Sequence, residues 1–374
     1  MMTMDNHNLI QHPALCAKYT VEKKLGQGTQ GQMYLVRRAS GERFAVKAYN
    51  LKTIPNWKAN DLMVREIEVL QKLDVDRVPR CVDVIDASTS EIPYIFIVQE
   101  YVDGDSLLEM INNGHRFSIT DIIRITKDIA TILDDIGHTA KIIHRDIKPS
   151  NIMIDHKGRA WLVDFGSVVR NPKHEGGSTL AGTAGYMSPE QCIGDALPVS
   201  DIFALGMSLI HLLTGIEPYK MDLEHLRPNF RPHLPRHIPA WFVDLINRMI
   251  DPSAATRITA EQILPILDHG NPDDISWFDL EKKHRFYLKM KRRSAPEKKW
   301  QTKATNDVRD IQNIRKKTSL LMNIHPEAMF LFTSQISIII LMLIITQNIQ
   351  DFVCLLFFYL FLMGSPYKFI STLK

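Results

Sequence analysis

The chain has 374 residues, 45 Lys and Arg against 42 Asp and Glu, a formal net charge of +3, and four cysteines. The cysteines lie far apart, at positions 16, 81, 192 and 354, which argues against a disulfide scaffold or a zinc module and favours reduced thiols in a cytosol-facing protein. Residues 1–13 are polar, so we expect no cleaved signal peptide.

Three closely spaced glycines form the first motif. Residues 26–31 read GQGTQG, a spacing that dinucleotide-binding folds use between a strand and a helix. Here Leu25 and the run Tyr34–Val36 predict strands on both sides, and a further strand follows at Ala45–Lys47. Because glycine has no Cβ, such a loop can lie close over phosphate groups.

An amphipathic helix is predicted next, over residues 60–73, with Asn60 as its N-cap. Its apolar face is formed by residues at helical spacing, namely Met63, Ile67, Leu70 and Leu73. Glu66 joins this inward face, whereas Glu68 points to solvent. An apolar run from Ile92 to Val102 then predicts a buried strand.

Two later motifs carry catalytic chemistry. Residues 144–151 read HRDIKPSN, and Asp164, Phe165 and Gly166 follow thirteen residues after the asparagine. The set supplies a carboxylate to face a hydroxyl nucleophile, a lysine for a transferred phosphate, and an asparagine and an aspartate to hold magnesium. Either motif alone is a weak signal, but both at this spacing are specific.

With these motifs in this order, residues 19–270 resemble the protein kinase family. The residues within the motifs resemble most those of the bacterial-type (Hanks-type) serine/threonine kinases. The segment 182–190, which reads GTAGYMSPE, is similar to the family's G-T-x-x-Y-x-A-P-E segment. The resemblance implies an α+β, bilobal fold. A β-rich N-lobe and hinge would span 19–102 after an N-terminal arm at 1–18, and a mostly helical C-lobe would span 103–270.

The resemblance also implies the nucleotide site. Its residues would be Leu25, Gly26, Gln27, Gly28, Gly31, Met33, Ala45, Lys47, Glu66, Gln99, Glu100, Val102 and Ser106. Lys47, fixed by Glu66, would hold the α- and β-phosphates of ATP. Gln99 takes the gatekeeper position, the backbone of 100–102 would bind adenine, and Ser106 would contact ribose.

The same resemblance implies the catalytic roles. Asp146 would orient and deprotonate the acceptor hydroxyl, and Lys148 would neutralise charge on the γ-phosphate. Asn151 and Asp164 would coordinate Mg²⁺ or Mn²⁺, and we expect His144 to brace this loop as a structural residue.

Regulation and substrate binding are implied further along the chain. Arg145 precedes the catalytic aspartate, which suggests pairing with a phosphate on the activation loop. Ser178 and Thr179 are the candidate phosphosites there, whereas Thr183 is expected to contact the catalytic loop.

Two structural predictions concern the helical part. An arginine near the end of the domain, Arg257, would pair with Glu190. Asp201 is expected to open a buried helix over 202–213 that Gly215 ends.

The end of the chain is basic and then apolar. Residues 282–317 carry fourteen Lys and Arg against three acids, a local charge of +11, so the remainder carries 3 − 11 = −8. Residues 328–350 have no charged side chain and are long enough for a membrane span. We expect a basic juxtamembrane linker at 271–327, hydrophobic membrane segment(s) at 328–367, and a cytoplasmic kinase domain. The short run 352–363 could cross, re-enter or lie in the interface, and a merely solvated basic linker is the plain alternative.

The sequence leaves three candidate functions. An active, membrane-attached serine/threonine protein kinase acting on protein substrates in signalling comes first. A kinase-like scaffold without activity is second, and the intact catalytic positions count against it. A small-molecule phosphotransferase of related fold is third. The GTAGYMSPE segment counts against it, because this segment would form the surface that binds a peptide substrate. We expect no nucleic-acid partner, because the basic stretch lacks a recognisable binding module.

Overall fold

The computed structural model describes residues 12–27, 31–54, 57–170 and 182–269, all within a compact unit that spans Met1–Thr318. Several predictions fall outside these ranges. They concern Gly28, Ser178, Thr179, most of the N-terminal arm, and the basic and hydrophobic segments from residue 270 onward.

An antiparallel five-stranded sheet forms the N-terminal part. Its strands are β1 (Tyr19–Gln27), β2 (Gln32–Arg38), β3 (Arg43–Asn50), β4 (Cys81–Ala87) and β5 (Tyr94–Glu100), in the order β1-β2-β3-β5-β4. Strands lie on both sides of the glycine motif, as predicted. In β3, Lys47 is paired with Met33 of β2 and Ile97 of β5, and Tyr49 shares its face because side chains alternate along a strand.

Two helices flank this sheet, the short α1 (Pro13–Cys16) and the longer α2 (Trp57–Leu70). Glu66 of α2 is completely buried, as predicted, and Glu68 is partly exposed. The predicted N-cap was wrong: α2 begins at Trp57, and Asn60 is buried inside the helix. A capping side chain stabilises a helix start by only about 1 kcal/mol, so packing against the sheet can move the start upstream.

The C-terminal part is mostly helical. Its helices are α3 (Leu107–Asn112), α4 (Ile119–Asp135), α5 (Pro189–Cys192), α6 (Pro198–Thr214), α7 (Ala240–Met249) and α8 (Ala260–His269). Its short strands are β6 (Gly104–Ser106), β7 (Ile142–Ile143), β8 (Ile152–Asp155), β9 (Ala160–Leu162), β10 (Val169–Arg170), β11 (Leu223–Glu224) and β12 (Arg227–Pro228). This division into a β-rich and a helical part agrees with the α+β, bilobal prediction.

The central helix α6 is apolar and buried on nearly every side, as predicted. It starts at Pro198, three residues before Asp201, because proline suits the first turn of a helix. Asp201 therefore lies inside the helix and does not open it. Gly215 ends α6 in the left-handed conformation, with φ 69°, which confirms that prediction.

Strands β8 and β9 set the geometry of the catalytic motifs. They are antiparallel, with Ile152 opposite Leu162. Asn151 directly precedes β8, and Asp164 follows β9 by two residues, so both lie at the same end of this hairpin. Among the described helices, none is long and apolar enough to cross a membrane.

Candidate active site

A buried lysine lies between two carboxylates from distant parts of the chain. Lys47 Nζ donates to Glu66 Oε1 at 2.9 Å, to Glu66 Oε2 at 3.1 Å and to Asp164 Oδ1 at 2.7 Å. The lysine comes from β3, Glu66 from α2, and Asp164 from the turn after β9. The predicted pair of Lys47 and Glu66 is therefore formed, and Lys47 also binds Asp164, the first residue of the second catalytic motif.

Electrostatic interactions favour the charged forms of Lys47 and Asp164. Burial by itself would lower the pKa of Lys47, but Asp164 and Glu66 outweigh it and hold the pKa well above its usual value. For Asp164, desolvation would raise the pKa, yet the ion pair with Lys47 prevails and lowers it to about 2. The Asp164 side chain remains 46% exposed, so a charged carboxylate faces solvent beside the lysine.

The second cluster surrounds Asp146. Its carboxylate accepts hydrogen bonds from Asn151 Nδ2 at 3.1 Å and Thr183 Oγ1 at 2.8 Å, and it pairs with Lys148 Nζ at 2.8 Å. Lys148 also donates to Thr183 Oγ1 at 2.6 Å. These contacts place the predicted base and the predicted phosphate-binding lysine side by side, and Thr183 touches the catalytic loop as expected.

Sequence reasoning missed the anchor of this loop. The carboxylate of Asp201 accepts the backbone N–H groups of His144 at 2.7 Å and Arg145 at 2.8 Å. Arg145 has a left-handed backbone, with φ 66°, a strained conformation for a side chain other than glycine. The signal in the sequence was an acid followed by a long apolar helix, because a carboxylate in buried surroundings needs nearby donors.

His144 has the structural role that was expected. Its ring is fully buried and packs edge-to-face on Phe165, with 4.8 Å between ring centroids. The backbone N–H of Asp146 donates to His144 Nδ1 at 3.3 Å. Burial lowers the pKa of this histidine, which favours the neutral ring that can accept this bond.

Two oxygen-bearing side chains at the end of the β8–β9 hairpin fit a magnesium ion. The amide nitrogen of Asn151 donates to Asp146. Its side-chain oxygen, which accepts a hydrogen bond from the Ser150 hydroxyl at 3.3 Å, is therefore the atom that would bind a cation. Asp164 is ionised and accessible. Magnesium prefers oxygen ligands and commonly binds one or two protein groups together with phosphates and water. Among the described residues there is no group of three or more His, Cys, Asp or Glu side chains that could hold a metal ion.

Several residues of the predicted nucleotide site lie in or beside strands β1, β2 and β3. Leu25 is 37% exposed at the end of β1, and Gly26 and Gln27 pair with Met33 and Gln32. A Cβ on Gly31 would lie 2.8 Å from the carbonyl oxygen of Ala48, so only glycine fits there without a shift.

The hinge side of the pocket is formed by the end of β5. Gln99 is buried and opposite Ala45, and Val102 is buried just beyond the strand. The hydroxyl of Ser106 donates to Glu109 Oε2 at 2.7 Å and caps α3. The predicted contacts of these residues and of Glu100 with adenine and ribose stay predictions.

A bidentate ion pair supports the segment after the active site. Arg257 donates to Glu190 Oε1 at 2.5 Å and Oε2 at 3.0 Å, as predicted. Nearby, the hydroxyl of Tyr186 hydrogen-bonds to His211 Nδ1 at 2.8 Å. These contacts fix the segment 182–190, which is expected to bind the peptide substrate, to the helical core.

Comparisons with known proteins agree with these motifs. A family model described as the protein kinase domain matches residues 19–266. A probable cell cycle serine/threonine-protein kinase of Encephalitozoon cuniculi is 28% identical over 284 residues, 74% of this chain and 57% of that protein. Serine/threonine-protein kinase F of Synechocystis is 32% identical over 279 residues, 68% and 56% of the two chains. Serine/threonine-protein kinase pkn3 of Myxococcus xanthus is 30% identical over 217 residues, 55% and 39%. The chain spans about half the length of these curated relatives.

Proposed function

The chain belongs to the protein kinase family, and from this premise we propose that it is a serine/threonine protein kinase that transfers the γ-phosphate of ATP to protein hydroxyls. One observation carries the proposal. The phosphate-binding cluster of Lys47, Glu66 and Asp164 is assembled, and so is the cluster around Asp146. A scaffold without activity would have no need to keep both.

The lysine cluster binds and orients the nucleotide. Lys47 presents a charged ammonium to the α- and β-phosphates, and Glu66 holds that ammonium from the buried side. Phosphoryl transfer depends on positioning and charge neutralisation more than on covalent chemistry. A lysine with a fixed direction therefore contributes to the rate by keeping the phosphates in line with the acceptor.

The second cluster acts on the acceptor. Asp146 accepts a hydrogen bond from the substrate hydroxyl and takes its proton as the hydroxyl oxygen bonds to the γ-phosphorus. The bond from that phosphorus to the oxygen of the leaving ADP breaks in the same transfer. Lys148, 2.8 Å from Asp146, lies where it can neutralise charge on the transferred phosphate. Thr183 bridges both side chains and ties the activation segment to them, so the cluster is complete only when that segment is docked.

A divalent cation would be held by Asn151 and Asp164. When bound there, Mg²⁺ or Mn²⁺ neutralises phosphate charge as a Lewis acid. The low pKa of Asp164, about 2, keeps its carboxylate ionised for this purpose at every physiological pH.

The proposal is tested by Asp146→Asn in the full chain. We expect phosphoryl transfer from radiolabelled ATP to a generic basic protein to fall by several orders of magnitude, because the carboxylate that takes the proton is lost. ATP binding should be retained, because the lysine cluster that binds the phosphates is unchanged. A chelator should abolish the wild-type reaction, and added Mg²⁺ should restore it. Transfer to small hydroxyl compounds and not to protein would favour a small-molecule phosphotransferase, and near-normal turnover of Asp146→Asn would contradict the assigned role.

We also propose that the protein is attached to a membrane and takes part in signalling, with its kinase domain in the cytoplasm. The support is in the sequence: the uncharged residues 328–350 follow the segment 282–317, which has a local charge of +11. Basic residues beside a span favour the cytoplasmic side, and each can add about 1 kcal/mol at an anionic leaflet.

Extraction tests this attachment. The full chain should resist high salt and carbonate and require detergent, whereas a chain without residues 318–374 should be released in active form. Salt screens exposed charge pairs over about 8 Å at physiological ionic strength. Release of the full chain by salt alone would exclude a span and leave only a peripheral contact.

A further inference from the structure

A second buried group reaches the carboxylate of Glu66. The hydroxyl of Tyr49 donates a hydrogen bond to Glu66 Oε2, on the carboxylate that also binds Lys47. Tyr49 is only 2% exposed. Lys47 Nζ lies 5.3 Å from the centroid of the Tyr49 ring, within the range of an attractive cation–π contact.

The strand explains why these groups meet. Lys47 and Tyr49 are two residues apart in β3 and project from the same face, toward α2. The ring of Tyr49 packs in one apolar cluster with residues of that helix, including Met63 and Ile67. Because the ring is held by packing, its hydroxyl has a fixed position relative to Glu66.

The hydroxyl is a neutral donor under all physiological conditions. Burial, together with the nearby Glu66 carboxylate, raises the pKa of Tyr49 well above its usual value. A hydrogen bond to an ionised acceptor is about twice as strong as one between neutral groups. With Lys47 on both oxygens and Tyr49 on Oε2, the carboxylate has little freedom to rotate.

We propose that Tyr49 is a positioning residue: its hydroxyl fixes the carboxylate of Glu66, and through it the ammonium of Lys47, in the orientation that binds the phosphates of ATP. This inference rests on the proposed kinase function. Tyr49 does not touch the nucleotide; it acts through Glu66. Packing alone would be satisfied by phenylalanine, so the hydroxyl is the part of the side chain to which the role belongs.

The chain offers a matched control in Tyr34. It lies in the neighbouring strand β2 and is also 2% exposed, but its hydroxyl donates to Gln32. Its ring packs in the cluster on the opposite face of the sheet, with Val46 and Phe96. Tyr34→Phe therefore removes the same atom from the same sheet without touching Glu66.

The first measurement is steady-state kinetics on full-length protein. Tyr49→Phe should lower kcat about tenfold, since a hydrogen bond to a charged group is lost beside the phosphate-binding lysine, with the KM for the protein substrate unchanged. Tyr34→Phe should keep wild-type kcat. In a Glu66→Gln background, the further change Tyr49→Phe should lower kcat by less than about twofold, because residues that act on one another are not additive.

The second measurement does not depend on activity. The rate at which an amine-acylating reagent modifies Lys47, followed by mass spectrometry without nucleotide, should rise in Tyr49→Phe and not in Tyr34→Phe. The proposal requires both results. Unchanged kcat or unchanged labelling in Tyr49→Phe would overturn it while leaving an active wild type as a kinase. A wild type that transfers no phosphate would contradict the proposed function, and unchanged labelling in Tyr49→Phe would still contradict the role of Tyr49.

Discussion

Two buried ion pairs in this molecule differ in how their cations are held. All five N–H donors of Arg257 have acceptors: both oxygens of Glu190 and the carbonyls of Val199, Asp251 and Pro252. The three donors of Lys47 go to Glu66 and to Asp164. Glu190 is 12% exposed, whereas Asp164 is 46% exposed.

The difference separates a structural pair from a functional one. A guanidinium is a planar fork whose bonds fix its direction, while an ammonium is a compact charge that can exchange one partner for another. Every acceptor of Arg257 is an internal protein group. Lys47 keeps one contact at the edge of the pocket, where a phosphate can compete with the carboxylate of Asp164.

The largest expected effect is on catalysis at the lysine. Lys47→Ala should lower phosphoryl transfer by about three orders of magnitude, comparable to the loss of one preorganised donor to a developing charge. The unfolding temperature should change far less, because burial already raises the pKa of Glu66, so its carboxyl group can bind a proton and become neutral once the lysine is gone. Activity assays and thermal unfolding of the same preparation measure both. Equal damage to stability and activity would remove the distinction between the two pairs.

Arg257→Ala should show the opposite pattern. Removing one partner of a buried pair leaves an uncompensated charge and costs about 3–5 kcal/mol, here at Glu190. We expect a large fall in the urea midpoint, with kcat per folded molecule close to wild type at low temperature. Arg257→Lys tests the fork itself, because it keeps the charge but not the bidentate geometry. A stable Arg257→Ala protein with no activity would show that this pair serves catalysis directly.

The sequence predicted these two pairs for different reasons, and the pairing of Arg257 with Glu190 followed from the family resemblance alone. Lys47 and Glu66 followed from motif order and from the helical period that turned Glu66 inward. The sequence indicated that Asp201 needs nearby donors, but it did not identify them, because they lie 57 and 56 residues away along the chain and its helix began one turn earlier than expected. Likewise, the strand period put Tyr49 on the face of Lys47, but only the packing of α2 on β3 decided that its hydroxyl meets Glu66.

The smallest effect is a difference in acid sensitivity between the two carboxylates. Burial would raise the pKa of Glu190, but hydrogen bonds from Arg257 and Ser200 prevail and lower it from 4.5 to about 2. The unfolded chain then binds more protons than the folded one between about pH 4.5 and about 2. Stability from this group is therefore present above pH 4.5 and is lost as the pH falls through that window, by at most about 1.4 kcal/mol per pH unit.

Urea unfolding at several pH values measures this slope. Glu190→Gln should start less stable at pH 7 and lose stability less steeply below pH 4.5. Glu66→Gln is the control: burial raises the pKa of Glu66 above 4.5 despite Lys47, so this group contributes no loss of stability as the pH falls below 4.5. Its substitution should leave the acid slope of the wild type unchanged. If Glu66→Gln flattened the slope and Glu190→Gln did not, the tightly paired carboxylate would be the one beside Lys47, and the contrast between the two pairs would have to be reversed.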